Sequence, residues 1–182
     1  MQELSMNVLD IVENSINAGA SLTSIMLDYK DDGRLILTIE DDGCGMDSST
    51  VERVVNPFYT TRTTRKIGLG LPFLKMAAEM TGGTITVDSE LGRGTVVTAF
   101  FFADHIDMMP LGDMGSTMSA LISGNPETDF IYILRNSGKS FTLDSKEIKV
   151  VLEGVPVESP QVALFIKEYT EENSNPVLGG RK

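Results

Sequence analysis

The sequence predicts an α/β (α+β) two-layer sandwich, a mixed β-sheet with helices on one face, followed by a small αββαα extension. Two stretches, 3–18 and 68–80, carry apolar residues at helical spacing. Two pairs of β-rich runs, 22–29 with 34–40 and 84–90 with 95–101, each flank a short turn. The resulting order is helix, two strands, two helices, two strands, which folds as helices laid on a sheet.

Each element has a local reason. Leu9, Ile11, Val12 and Ile16 recur along the first helix, and Gly19 stops it. The first hairpin turns at Asp31-Asp32-Gly33 and the second at Leu91-Gly92-Arg93-Gly94. A short helix near 48–55 takes Asp47 or Ser48 as its cap. NPFYTTRTTRKIG has no periodicity and reads as a loop, whereas GLGLPFLKMAAEM becomes an amphipathic helix ended by Gly82-Gly83. Beyond residue 104, a Met-rich stretch leads into a helix ending at Gly124. A hairpin then turns at Asn136-Ser137-Gly138, and a helix follows with a capping box from Asp144 to Glu147, stopping at Gly154. A last helix starts at Ser159-Pro160. The expected division is 1–103, 104–174 and a flexible tail, 175–182.

Composition narrows the function. A formal net charge of −11 disfavours sequence-blind binding to nucleic acid or anionic membrane. No apolar run reaches the roughly 18 residues a membrane span needs, and no signal-peptide pattern opens the chain. One cysteine, Cys44, excludes an internal disulfide, and with a single histidine it excludes a Cys/His zinc site within one chain. The expectation is a cytoplasmic protein.

Three fragments carry chemistry. On the first helix Asn7, Asp10, Asn14 and Asn17 follow at steps of three, four and three, a stripe of four poor helix formers. The Asn14 carboxamide oxygen suits Mg²⁺ alongside waters and phosphates, and Asp10, one turn earlier, is placed to handle a water. In DDGCGM, Asp41 or Asp42 ends a strand, while Gly43 and Gly45, before Met46, let backbone come close to a ligand. A carboxylate there accepts a hydrogen bond from an exocyclic amine such as that of adenine. GLGLP, with Gly68, Leu69, Gly70 and Leu71, opens a helix whose free amides attract anions, and Arg62, Arg65 and Lys66 lie just upstream. Alone, each has an ordinary explanation as a solvated face, a turn or a helix start.

Together, the order ENSINAGA, DDGCGM, NPFYTTR, GLGLP and GRGTVVTAFF resembles the ATP-binding domain of the GHKL superfamily, over residues 1 to about 103. That group comprises DNA gyrase, Hsp90-type chaperones, histidine kinases and mismatch-repair ATPases, and the wording is most similar to histidine kinase catalytic domains. The resemblance implies a Bergerat-type fold binding ATP or ADP with Mg²⁺. Asn14 would hold the metal, Asp41 would read adenine with Gly43 and Gly45 shaping its pocket, and Thr95 would complete the adenine contacts. Phe58 would precede a lid at 59–67, and Gly68 and Gly70 would wrap the phosphates. Asp10 stands where hydrolytic relatives carry a glutamate base, and Asn17 where many kinases carry Lys or Arg. Lys66 replaces another kinase glycine, and Arg62, Arg65 or Lys66 could meet the γ-phosphate. The sequence opens at the nucleotide-binding helix, without the phosphoacceptor-histidine helices of a complete kinase, and His105 reads as a surface residue.

Three functions fit: a kinase-like domain that phosphorylates or switches a protein partner, an ATPase with Asp10 as base, or an adenine-nucleotide sensor without chemistry. Residues 104–182 carry no motif that resembles a known family. They read as a partner-docking surface built on exposed Met108, Met109, Met114 and Met118, as a helical cap on the open sheet face, or as a homodimer element. Cys44, inside the adenine loop, reads as a packing residue.

Overall fold

The computed structural model describes residues 3–54 and 70–180. Their elements are α1 (Leu4–Asn17), β1 (Leu22–Tyr29), β2 (Arg34–Asp41), α2 (Ser48–Val54), α3 (Gly70–Met80), β3 (Thr84–Glu90) and β4 (Gly94–Phe102). There follow α4 (Met114–Gly124), β5 (Asp129–Asn136), β6 (Lys139–Asp144), α5 (Ser145–Val151) and α6 (Pro160–Leu178). The strands form one mixed sheet in the order β3-β4-β2-β1-β5-β6, where β1 and β5 run parallel and every other neighbouring pair is antiparallel.

Strand alternation sets one face of this sheet inward. Ile25 pairs with Ile39 and Tyr132, Leu27 with Leu37 and Leu134, and Leu37 with Ala99, all of them buried. The apolar sides of α1, α3, α4 and α6 close on that face and make one continuous core from Leu4 to Val177. The extension is therefore woven into the first hundred residues. Its β5 is a central strand beside β1, and its 110–111 carbonyls accept the free first-turn amides of α1, Leu4 at 3.0 Å and Ser5 at 2.9 Å.

Several local expectations change in the fold. Met114 and Met118 are buried in the core, and Met108 and Met109 pack against it, so the methionines form no docking surface. α4 and α6 of the extension lie on the already covered side, with Met118 in the common core and the Tyr169 ring 5.8 Å from buried Phe141, and do not cap the open face. Asp144 caps α5 by accepting from Lys146 N at 2.8 Å, and that helix ends at Val151 instead of Gly154. α6 continues through Pro176 to Leu178, because Val177 is buried and its carbonyl accepts from Asn136 Nδ2 at 2.8 Å; residues 175–178 are helix and not a frayed tail. Asp47 and not Ser48 caps α2, accepting from Thr50 N at 2.8 Å.

Candidate functional site

At the carboxyl end of β2 the two aspartates divide their work. Asp42 is structural, with its carboxylate accepting from Ser21 N at 2.7 Å, Leu22 N at 2.9 Å and the Ser21 hydroxyl. The Ser21 hydroxyl holds this carboxyl below its usual range. Asp41 points to the helix side, where Ser15 Oγ donates to Oδ2 at 2.7 Å and Gly43 N donates to Oδ1 at 3.0 Å. Two donors fix the carboxylate plane, and lone pairs remain for a further donor.

Beside it, Asp41 is in register with Thr95 on β4, and Thr95 with Ser89 on β3. Ser89 Oγ ties the wall together: it donates to Gly94 O at 2.8 Å, lies 3.0 Å from Thr95 Oγ1 and accepts from Met46 N at 2.8 Å. The loop at 42–47 is drawn tight against this corner. Cys44 N donates to Ala18 O at 2.9 Å, and Gly92 N to Cys44 O at 2.8 Å. Gly45 sits at φ 65, and a Cβ there would lie 2.0 Å from Glu90 O; Gly94 sits at φ 101, and a Cβ there would lie 1.9 Å from Asp41 O. Both positions need glycine because backbone meets backbone and φ is positive.

α1 supplies the opposite wall. Asp10 is exposed and Asn14 half-buried, and among the described residues neither side chain has a hydrogen-bond partner. The start of α3 abuts this wall, since a Cβ on Gly70 would lie 2.9 Å from Asp10 Cβ, and Leu71 beside it is buried. Asp10 and the first turn of α3 thus share one corner, with Asn14 one helical turn further along α1. Asn7 leaves the stripe, being buried and donating to Glu3 O and Met109 Sδ. Asn17 lines a groove between α1 and α4 with Leu9, Glu13, Leu121 and Asn125 and takes no part in the Asp41 network. Phe58, Arg62, Arg65, Lys66, Gly68 and Leu69, with the lid expected at 59–67, lie outside the described residues. Cys44 is exposed, so it is not the packing residue expected, and His105 is a surface residue as expected.

Ser15 and Ser89 were missed. Neither is unusual in its own segment; only the register of β2, β3 and β4 and the docking of α1 bring them to Asp41 and Thr95.

Residues 2–105 match the family described as histidine kinase-, DNA gyrase B-, and HSP90-like ATPase. The chain belongs to that family. Among curated relatives of this ATPase family, the sensor histidine kinase ZraS of Salmonella typhimurium is 33% identical over 97 residues, 52% of this chain and 21% of that protein. Sporulation kinase E of Bacillus subtilis is 33% identical over 96 residues, 52% of this chain and 13% of that protein. The chain therefore spans about a fifth or less of either relative. In structure it is similar to the Aquifex aeolicus MutL ATPase domain complexed with ADP, with a TM-score of 0.53 at 15% identity, covering 84% of this chain and 70% of that one. That coverage exceeds what residues 2–105 supply, so the shared fold reaches into the extension. No helix among the described residues is long and apolar enough to cross a membrane.

Proposed function

We propose that the chain binds Mg-ATP in the cleft between α1, the 42–47 loop and the start of α3, and acts on a protein partner by phosphorylating or switching it. The observation that carries the reading is the Asp41 corner. Ser15 and Gly43 hold one carboxylate in place while Thr95 stands beside it in register, a rigid acceptor-and-hydroxyl pair suited to an adenine edge. Family membership supports adenine nucleotide as the ligand.

The residues present fit a magnesium ion that arrives with phosphates. Among the described residues no group of three or more His, Cys, Asp or Glu side chains offers a metal cage. A neutral carboxamide at Asn14 with a carboxylate one turn away is instead the sparse protein donor set Mg²⁺ accepts when waters and phosphates fill its octahedron. Bound there, the ion would neutralise phosphate charge during phosphoryl transfer. Asn14 would hold it, Asp41 would orient the base, and the amides opening α3 would face phosphate oxygens.

A second reading, hydrolysis, is favoured by Asp10. Its carboxylate is solvent-accessible, has no partner among the described residues, and stands against Gly70 at the mouth of α3. It would align a water, with a reach one methylene shorter than a glutamate's.

The test follows γ-labelled ATP in wild type, Asn14→Ala and Asp10→Asn, counting bound nucleotide, free phosphate and protein-attached phosphate separately. Mg-dependent binding lost in Asn14→Ala is expected. Free phosphate that disappears in Asp10→Asn assigns the ATPase, whereas bound, unconsumed ATP in wild type assigns the kinase or switch that awaits its partner. A folded protein that binds no adenine nucleotide sinks the proposal.

A further inference from the structure

The inward side chains of β1 are Thr23, Ile25, Leu27 and Tyr29. Thr23 is fully buried, and its Oγ1 has no hydrogen-bond partner among the described residues. A hydroxyl buried without a partner costs stability, whereas valine, of nearly the same shape, would fill the position without that cost. Such a group in a folded chain calls for a state in which it is paired.

Strand register places Thr23 at the candidate site. Thr23 is opposite Asp41 on β2, Asp41 opposite Thr95 on β4, and Thr95 opposite Ser89 on β3, so a polar row crosses the inner face. The next row, Ile25, Ile39, Val97 and Val87, is apolar. On the other side of Thr23, in register on β5, stands buried Phe130, whose side chain offers no polar atom. Asp41 is therefore the polar side chain next to the Thr23 hydroxyl in its row. Asp42 N donates to Leu22 O at 3.3 Å, which makes Leu22 and Asp42 a hydrogen-bonded pair and Thr23 and Asp41 the following non-hydrogen-bonded pair. Side chains stand closest in such a pair, with Cβ atoms about 5 Å apart. One rotation about the Thr23 Cα–Cβ bond moves the hydroxyl between staggered positions and brings it within reach of the Asp41 carboxylate.

We propose that Thr23 is a positioning residue for nucleotide recognition, its hydroxyl donating to the Asp41 carboxylate when the amino group of a purine occupies that corner. The inference rests on the adenine reading of Asp41 and adds a residue to it. Its physical reason is desolvation. In an open cleft bulk water solvates the half-buried carboxylate beyond its two fixed donors. A planar base closing over it expels that water and returns a single donor, its amino group, so the charged oxygens are left short of donors. The other hydroxyls nearby are committed: Ser15 already donates to Asp41 Oδ2, and Thr95 lies 3.0 Å from Ser89 Oγ. Thr23 has no competing partner and supplies the missing donor from beneath the base.

Calorimetric titration of the full chain tests it, with ATP and with purine riboside triphosphate, which lacks the amino group. The variants are Thr23→Val, Thr23→Ser and Asp41→Asn. Thr23→Val should bind ATP about tenfold more weakly, while its denaturant midpoint without nucleotide does not fall, because an unpaired hydroxyl has been removed. Thr23→Ser keeps the hydroxyl and should bind ATP within about twofold of wild type. Wild type and Thr23→Val should bind the amino-free analogue alike, since the hydroxyl acts together with the amino group; a merely structural role would weaken both nucleotides equally. Thr23→Val that binds ATP as wild type does, or loses both nucleotides equally, overturns the proposal. So does a fall in its stability without nucleotide, which would show the hydroxyl already paired in the empty protein. If Asp41→Asn still loses ATP in those cases, the adenine reading stands without Thr23. ATP affinity unchanged in Asp41→Asn removes that reading, and the role of Thr23 falls with it.

Discussion

The Asp41 corner and the extension use the same polar residue types to opposite ends. In the extension, acids are spent on structure. Asp113 caps α4 through Ser116 N at 2.7 Å and pairs with Lys167 at 3.3 Å, and Asp129 binds Lys149 at 2.9 Å, whose ammonium also donates to the Pro126 and Thr128 carbonyls. At the cleft, Asp10 and Asn14 are left without partners among the described residues, and Asp41 is held in place but not saturated. A polar group positioned by the fold yet incompletely paired is an opening for a ligand, whereas a fully paired one is a fastening.

Substitutions that separate the two uses should break along this line. The largest stability loss is expected at Gly94, where φ 101 and the 1.9 Å approach to Asp41 O leave no room for a side chain. Gly94→Ala should cost about 3 kcal/mol or more and remove nucleotide binding with it, read as a denaturant midpoint beside a titration. Met118→Ala, in the extension's core, should cost about 2–5 kcal/mol in the same unfolding assay while the folded protein still binds nucleotide. If that variant instead kept its stability, the extension would not be part of the common core.

Smaller effects sharpen the contrast. Asn14→Ala should leave stability within about 0.5 kcal/mol and weaken Mg-ATP binding about tenfold or more by calorimetry. Ser15→Ala should lower affinity more modestly, by roughly fivefold to tenfold, because Asp41 loses one of its two positioning donors. Nucleotide affinity equal to wild type in Ser15→Ala would show that Gly43 alone sets the carboxylate. The smallest effect concerns Asp42, whose folded-state carboxyl lies below its usual range because the Ser21 hydroxyl and nearby amides bind its charged form. Its stabilisation is complete above the unfolded value near pH 4 and fades as pH falls through the folded value, so Asp42→Asn should flatten the acid limb of a stability–pH curve.

The motifs were legible because the chemistry at those positions constrains residue type in short stretches. Gly43 and Gly45 are needed where loop meets strand, Asp41 closes β2, and Asp10 and Asn14 share a helix side, all within a few residues of chain. The same locality misled at Asn7, which shares the stripe's spacing but is buried beneath Met109, a neighbour 102 positions away. The methionines of the extension failed for the same reason. An isolated Met-rich segment reads as adaptable surface, and only α1 and α6 packed around it make it core.

By itself the sequence determined the element order, the paired strands and their turns, and the nucleotide-type boxes, since periodicity and turn chemistry are local properties of the chain. Tertiary structure alone decided the parallel pairing of β1 with β5, which joins residues more than a hundred apart, and the closure of α1's first turn by the 110–111 carbonyls. It also decided the meeting of Ser15 and Ser89 with Asp41 and Thr95, and which face of the sheet the described helices cover. These depend on how separate elements satisfy one another's backbone groups and bury one another's apolar faces, which no window of sequence contains.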